Sequence, residues 1–390
     1  MSEIIVSEYL NTPVVTAFIG NKMEFLSFVR ENELGNIYVA KVDHIVKNIG
    51  AAFVRYDKDK TGYLPLKNIT GACVIGRTFG SDDTLKNGDD VIVQVESEAI
   101  KTKKTKLTTN LSVSDDYVAV TLGKYGVGSS IKLSDNIRAL LSDKIKADYE
   151  TIMDEYRGKL SDMTAGIIIR TKSSEIAEEE ACDVIKASFR ACLDKLADIL
   201  SEGRNRTLYS CVHRSDSGST EQLIENAGAF LKIRGETEFS VIEDTGIHGI
   251  KSAIEDLKHR KVWLKSGAYI IIEQLESFNA IDVNTGKAIK GKDDIAFKVN
   301  LEAVNEIFRQ IRLRNLTGMI LIDFINMNDE EKYEELIHKV KAFCKYEQVH
   351  TVFIDVTGLG IMELTRNKND KTLKEILKDV EKAVDNSIYQ

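Results

Sequence analysis

Proline occurs only twice in 390 residues, so no proline-rich linker marks a domain boundary. The five cysteines, Cys73, Cys182, Cys192, Cys211 and Cys344, are widely spread. No pair has the C-x-x-C spacing that announces a zinc site, and they read as buried free thiols of a reducing compartment. The six histidines are equally scattered, with no H-x-x-x-H and no Ser-His-Asp signature. That argues against histidine-held metal and against nucleophilic serine chemistry. No apolar run approaches the ~18 residues needed to span a bilayer. The opening MSEIIVSEYLNTPVV has no basic region ahead of an apolar stretch, so it does not read as a signal peptide. A soluble, cytoplasmic protein with no membrane partner is the expectation. No internal repeat and no low-complexity tract is visible.

A net charge of −8 argues against a generic polyanion binder. Its distribution matters more. Residues 258–323 hold eleven Lys/Arg against eight Asp/Glu. A locally basic site in an acidic chain suits a phosphate-bearing ligand. The length allows roughly two to four domains.

What is present is an aspartate inside an otherwise apolar strand, twice. Residues 278–286 read FNAIDVNTG and residues 318–326 read GMILIDFIN, with a helical stretch over 300–314 between them. Burying a carboxylate costs several kcal/mol unless it is paired or metal-bound. Two such carboxylates, Asp282 and Asp323, on strands that one helix could bring side by side, make a divalent-metal site the leading idea. Asn284 lies two residues past Asp282 and shares its face. Asp, Asn and Asp together suit Mg²⁺, or Mn²⁺, and not zinc.

The pattern along the chain predicts strands over residues 1–33, then five short strands with glycine-containing turns in residues 34–110. So many strands in so short a stretch suggest a small closed β-barrel. Residues 111–204 mix strands with helices over 133–160 and 176–200. Residues 205–257 read as irregular α/β. Residues 258–365 alternate strand, strand, helix, strand, helix, strand, an α/β pattern. A charged amphipathic helix over 370–386 ends the chain. On the barrel, Phe53 and Tyr63 flank a turn with Lys41, Lys47 and Arg55 nearby, and Lys101, Lys103, Lys104 and Lys106 follow. Exposed aromatics on such a barrel stack unpaired bases, and the lysines would track a phosphate backbone. The competing reading places the two rings in the barrel core and the lysines on a solvated turn.

The segment AIDVNTGKAIKGKDDIAFKVNLEAVNEIFRQIRLRNLTGMILIDFINM, residues 280–327, closely resembles the ribonuclease E/G family. GNIYVAKVDHIVKNIGAAFVRYDKDKTGYLPLKN resembles that family's OB-type RNA-binding barrel. Together the likeness extends over roughly residues 1–370, weakest in 205–257, and it is closest to the compact ribonuclease G type. The resemblance implies a multi-subdomain α/β fold. An RNase-H-like subdomain (1–33 and 205–257) would carry an inserted OB-type barrel (34–110) and a 5′-sensor subdomain (111–204). A DNase-I-like catalytic subdomain (258–370) and a C-terminal helix (371–390) would follow. It implies a single-strand-specific endoribonuclease of rRNA and tRNA processing and mRNA decay, leaving 5′-phosphate and 3′-hydroxyl ends. By resemblance Asp282 and Asp323 are the Mg²⁺ ligands, and Asn284 holds the attacking water or the scissile phosphate. The resemblance also assigns Phe53, Tyr63 and Lys103 to RNA-contacting positions, and it implies that Arg170 and Thr171 would sense a 5′-monophosphate, Arg170 as a bidentate donor. Lys287, Lys290, Lys292, Arg312 and Arg314 are candidates, by location, for countering phosphate charge. Two readings from other classes stand beside it: a non-catalytic single-stranded RNA-binding protein on the same fold, and a metal-dependent phosphatase or phosphodiesterase of small molecules.

Three departures from the family pattern stand out. No cysteine follows residues 361–366, where the family carries the C-P-x-C motif of a zinc shared by two subunits, so zinc is not expected and a homodimer would lack that link. Asp115 stands where the sensor pocket has a small residue, and an acid there would repel a 5′-phosphate. Asp355 lies in a third strand, where it reads as a strand-end polar residue or an extra carboxylate near the metal.

Overall fold

A two-residue turn at Leu10 and Asn11, both at positive φ (49° and 60°), joins the first two strands into a tight hairpin, the turn geometry that matches strand twist. These are β1 (Ser2–Tyr9) and β2 (Thr12–Ile19), and β3 (Lys22–Phe28) adds antiparallel to β2. The computed structural model describes residues 2–30, 32–80, 82–99, 104–130, 133–216, 218–244, 249–287, 295–368 and 370–388. The chain divides into two units, one formed by residues 1–31 with 218–390 and the other by residues 32–217.

The second unit begins with β4 (Ile37–Val46), β5 (Ala51–Arg55), β6 (Thr61–Pro65), β7 (Val74–Ile75), β8 (Asp90–Ser97) and β9 (Lys106–Thr108). Strand order runs β4-β5-β6-β9-β8, and β4 also pairs with β8, which closes a five-stranded barrel of the OB type. Alternate residues, among them Val42, Ala52, Val54, Leu64, Val93 and Leu107, fill its interior. A second sheet follows in the same unit, built from β10 (Ser112–Ser114), β11 (Val118–Leu122), β12 (Val127–Ser129) and β13 (Ala165–Ile169). Helices α1 (Asp135–Tyr156) and α2 (Glu178–Asn205) pack on it through Ile145, Tyr149, Ile185, Phe189 and Leu193, at helical spacing. Last comes β14 (Cys211–His213), which pairs with β4. Residues 205–257, read from sequence as one piece, are thus shared between the units. The first part extends the barrel's sheet, and the rest belongs elsewhere.

In the first unit, α3 (Thr220–Ile233), β15 (Phe239–Glu243) and α4 (Ile250–Asp256) join the opening strands, with β15 parallel to β1. A six-stranded sheet follows: β16 (Lys261–Trp263), β17 (Tyr269–Gln274), β18 (Phe278–Asn284), β19 (Gly318–Asp323), β20 (Thr351–Val356) and β21 (Ile361–Arg366). Its order is β16-β17-β18-β19-β21-β20, and only β18 and β19 run parallel. Helix α5 (Ile295–Leu313) makes the crossover between them, as a parallel pair requires. Helix α6 (Glu330–Tyr346) precedes β20, and α7 (Leu373–Ile388) ends the chain. Val299, Ala303, Val304, Ile307, Phe308 and Ile311 of α5 bury one face of the sheet against Ile270, Ile281, Ile320 and Ile322. The pattern of residues 258–365 predicts two strands before α5 and one after α6. The structure has three and two. Gly360, at φ 84°, turns the chain into a hairpin, its N–H bonding to the Thr357 carbonyl at 2.9 Å.

Candidate active site

Asp282 is the register partner of Asp323 across the parallel β18–β19 pair. The two residues therefore share one face of the sheet, one strand spacing (about 4.8 Å) apart. Asn284 lies on that same face, and its Nδ2 donates to Asp282 Oδ2 at 2.7 Å. The opposite face carries Ile281, Val283, Ile322 and Phe324, all buried against the helices. Period-two alternation thus turns the acids outward.

That overturns the premise that these carboxylates are buried. Both aspartates are exposed, so desolvation does not demand a counter-ion. The case for a cation rests on adjacency instead. Two like unit charges ~4 Å apart repel by about 1 kcal/mol in water and several times that near protein. Among the described residues no ion pair neutralises either one, and no cluster of three His/Cys/Asp/Glu is present. Two carboxylates and an amide do not make a closed four-ligand zinc site. They fit a hard divalent cation that keeps several of its waters.

Two of the proposed phosphate-countering cations are excluded. Arg312 is buried between Glu24 and Glu347, with guanidinium contacts of 2.5 Å to each. Arg314 is 5 % exposed and donates to Gln310 Oε1 at 2.7 Å and to the His259 carbonyl at 2.8 Å. Burial lowers its pKa to about 10. Both arginines tie α5 into the core. Lys287 is exposed just past β18, while Lys290 and Lys292 lie outside the described residues. Asp355 sits on β20, two strands from Asp323, paired in register with Glu363 and not with either acid.

What holds the acids in place was not evident from sequence. Asn300 on α5 is fully buried, and its amide both donates to the Ile325 carbonyl (2.8 Å) and accepts from the Ile325 N–H (3.1 Å). It thereby pins the chain two residues past Asp323. Asn279 pins the other end of the strand pair, donating to the carbonyls of Thr317 and Met319 at 3.0 and 3.3 Å. Gly286 turns the chain after Asn284 at φ 54°, where a Cβ would lie 2.4 Å from the Gly267 carbonyl, so only glycine fits. A buried asparagine on an apolar helix face was the available signal.

On the barrel, Phe53 and Tyr63 are direct cross-strand partners on β5 and β6. Both rings are half-buried and face away from the interior, between inward-facing Ala52, Val54 and Leu64. They meet edge-to-face at 6.3 Å. His44, the β4 partner of Phe53, stacks on it at 4.8 Å, and Lys104 Nζ lies 5.6 Å from its ring centre. His44 and Lys104 thus complete an aromatic and cationic cluster. Lys41 and Arg55 are instead paired with Asp90 and Asp43. Lys101 and Lys103 lie outside the described residues.

In the second sheet of that unit, Arg170 follows β13 and is exposed. Its backbone N–H bonds to the Tyr117 carbonyl at 2.8 Å, and its guanidinium donates to the Asp115 carbonyl. Thr171 Oγ1 lies 3.4 Å from Ser130 Oγ. The Asp115 carboxylate accepts from the N–H groups of Tyr117 and Val118, both at 2.9 Å. It closes its own turn.

The family described as Ribonuclease E/G matches residues 221–369. Ribonuclease G of Salmonella typhimurium strain SL1344 is 29% identical over 386 residues, covering 89% of this chain and 75% of that protein. Ribonuclease G of Escherichia coli K12 gives the same identity and coverage. Ribonuclease E of Escherichia coli K12 is 28% identical over 376 residues, 88% of this chain but 34% of that longer protein. No described helix is long and apolar enough to cross a membrane.

Proposed function

From membership of the ribonuclease E/G family, to which this chain belongs, we propose that it is an endoribonuclease. It hydrolyses single-stranded RNA with a divalent cation and leaves 5′-phosphate and 3′-hydroxyl ends. The observation that carries this reading is the side-by-side placement of Asp282 and Asp323 with Asn284 bonded to the first. Magnesium is the ion we assign, with manganese as a substitute. When bound, it supplies charge neutralisation and Lewis acidity at the scissile phosphoryl group. Asp282 and Asp323 furnish the negative charge that retains it. The Asn284 amide N–H fixes the orientation of Asp282 and leaves the amide oxygen to orient an attacking water. An exposed sheet face gives an extended strand access, which a closed cavity would deny.

The other assignments extend the same reading. Phe53 and Tyr63 stack unpaired bases, supported by their outward placement beside His44 and Lys104. Lys103 joins them as a phosphate contact. Arg170 and Thr171 receive a 5′-monophosphate. Residues 34–110 and 111–204 serve as OB barrel and sensor, 1–33 with the part of 205–257 from residue 218 onward form the RNase-H-like subdomain, 258–370 the DNase-I-like one, and 371–390 the closing helix. The test is cleavage of a labelled unstructured RNA with Mg²⁺ and with EDTA. Specific cleavage in Mg²⁺ alone, lost in Asp282→Asn and Asp323→Asn, is the expected result. RNA bound but uncut under every divalent cation would leave an RNA-binding protein.

A further inference from the structure

The acid-bearing face of the six-stranded sheet continues past Asn284 onto two rings. Trp263, Tyr269 and Asn284 are successive register partners across β16, β17 and β18. Lys261, Ile271 and Asp282 form the next row. Cross-strand partners share a face, so Trp263 and Lys261 lie on the same surface as the acids, about 10 Å from Asn284 and Asp282 along the strand-spacing direction. Trp263 is 57 % exposed, far more than an indole needed for packing. Its ring meets Tyr269 edge-to-face at 5.3 Å. Lys261 Nζ lies 4.0 Å from the Trp263 ring and 3.7 Å from the Tyr269 ring. Among the described residues no carboxylate pairs with that lysine. An aromatic surface held in shape by its neighbours, with an uncommitted cation against it, is what stacking of a base beside a phosphate requires.

We infer that Trp263, braced by Tyr269 and Lys261, is a platform on which one nucleobase of the substrate strand stacks, within a few nucleotides of the bond cut at Asp282 and Asp323. The platform sets where along the RNA the scissile phosphate comes to rest. The inference rests on the proposed ribonuclease activity, and it adds a positioning site separate from the barrel aromatics.

Trp263 is the sole tryptophan of the chain, so its fluorescence reports this surface alone. Fluorescein-labelled unstructured RNA is titrated into wild-type protein in EDTA and into Asp282→Asn in Mg²⁺, reading RNA anisotropy and indole emission together. Binding accompanied by indole quenching is expected, with quenching lost when one nucleotide near the cut is made abasic. Trp263→Ala should weaken binding about tenfold, the usual scale for a lost stack, and blur the cleavage position. Trp263→Phe should restore both. RNA bound with no change in emission, or Trp263→Ala matching wild type in affinity and cleavage position, overturns the platform and leaves the nuclease assignment standing. RNA neither bound nor cut would overturn that assignment, and this inference with it.

Discussion

Two sheet faces in this molecule present candidate functional side chains outward, and they are built to different tolerances. On the six-stranded sheet the presented groups are Asp282, Asn284 and Asp323. Buried Asn279 and Asn300 clamp the backbone at both ends of the strand pair, and Gly286 fixes the exit. On the barrel the groups are Phe53, Tyr63, His44 and Lys104, held by contact with one another. Among the described residues no buried polar side chain clamps β5 to β6, whose inward positions are Ala52, Val54 and Leu64. The difference fits the work proposed for each face. In-line chemistry at phosphorus loses rate steeply when a group moves by an ångström. Base stacking has no sequence or strict angular requirement and survives small shifts.

The largest expected effect falls on the acids. Asp282→Asn and Asp323→Asn should each lower cleavage by a hundredfold or more, on the order of 3 kcal/mol in barrier, while affinity for RNA changes less than threefold. Parallel cleavage and binding assays measure the split. Activity within about threefold of wild type in both variants would remove the acids from the chemistry and make the two faces equivalent.

Asn300→Ala tests the clamp. It removes two buried hydrogen bonds to Ile325 and strands both backbone groups, at ~1–3 kcal/mol each. Chemical denaturation should show a loss of a few kcal/mol. At temperatures where the variant stays folded, cleavage should fall tenfold or more with binding little changed. Unchanged cleavage per folded molecule would mean that the clamp serves stability alone.

The acids were legible in sequence because charged residues interrupting Ile, Val and Phe are conspicuous. Their burial was misjudged because the apolar neighbours Ile281, Val283, Ile322 and Phe324 fill one face and leave the other to solvent. A run of residues shows that alternation only once its sheet has a covered side. Arg312 and Arg314 were misjudged for a related reason. Their partners Glu24, Glu347 and the His259 carbonyl come from segments distant in sequence. His44 escaped notice because it joins the aromatic cluster only through registration with Phe53. The hairpin at Gly360 was hidden inside what reads as a single apolar strand.

Phe53→Ala examines the looser face. Affinity for single-stranded RNA should weaken by ~1–3 kcal/mol, the cost of one stacked base. Circular dichroism should be unchanged, because the ring points away from the barrel interior. Substitution by Tyr should cost little, which distinguishes stacking from a shape-specific contact. A collapse of the barrel in Phe53→Ala would return the ring to the core.

The smallest effect is expected at Arg170. A 5′-monophosphate offers it charge and acceptor oxygens, whereas a 5′-hydroxyl does not. In the structure its guanidinium is already engaged with the Asp115 carbonyl, and Lys172 is paired with Asp116 at 2.7 Å. A phosphate must compete with the first of these contacts. The Asp115 carboxylate adds negative charge close by, although two backbone N–H groups hold it. Preference for monophosphate over hydroxyl and triphosphate ends should therefore be only a few-fold, ~1 kcal/mol or less, as for exposed ion pairs. Arg170→Ala should erase it. Asp115→Asn keeps an oxygen to cap the turn and removes the charge, so the preference should rise. Asp115→Gly also removes the charge, and with it the cap. Cleavage rates on three oligonucleotides differing only at the 5′ end decide the matter. Equal rates in wild type and in Asp115→Asn would show that Arg170 is a surface residue closing the Asp115 turn, with no part in sensing the RNA end.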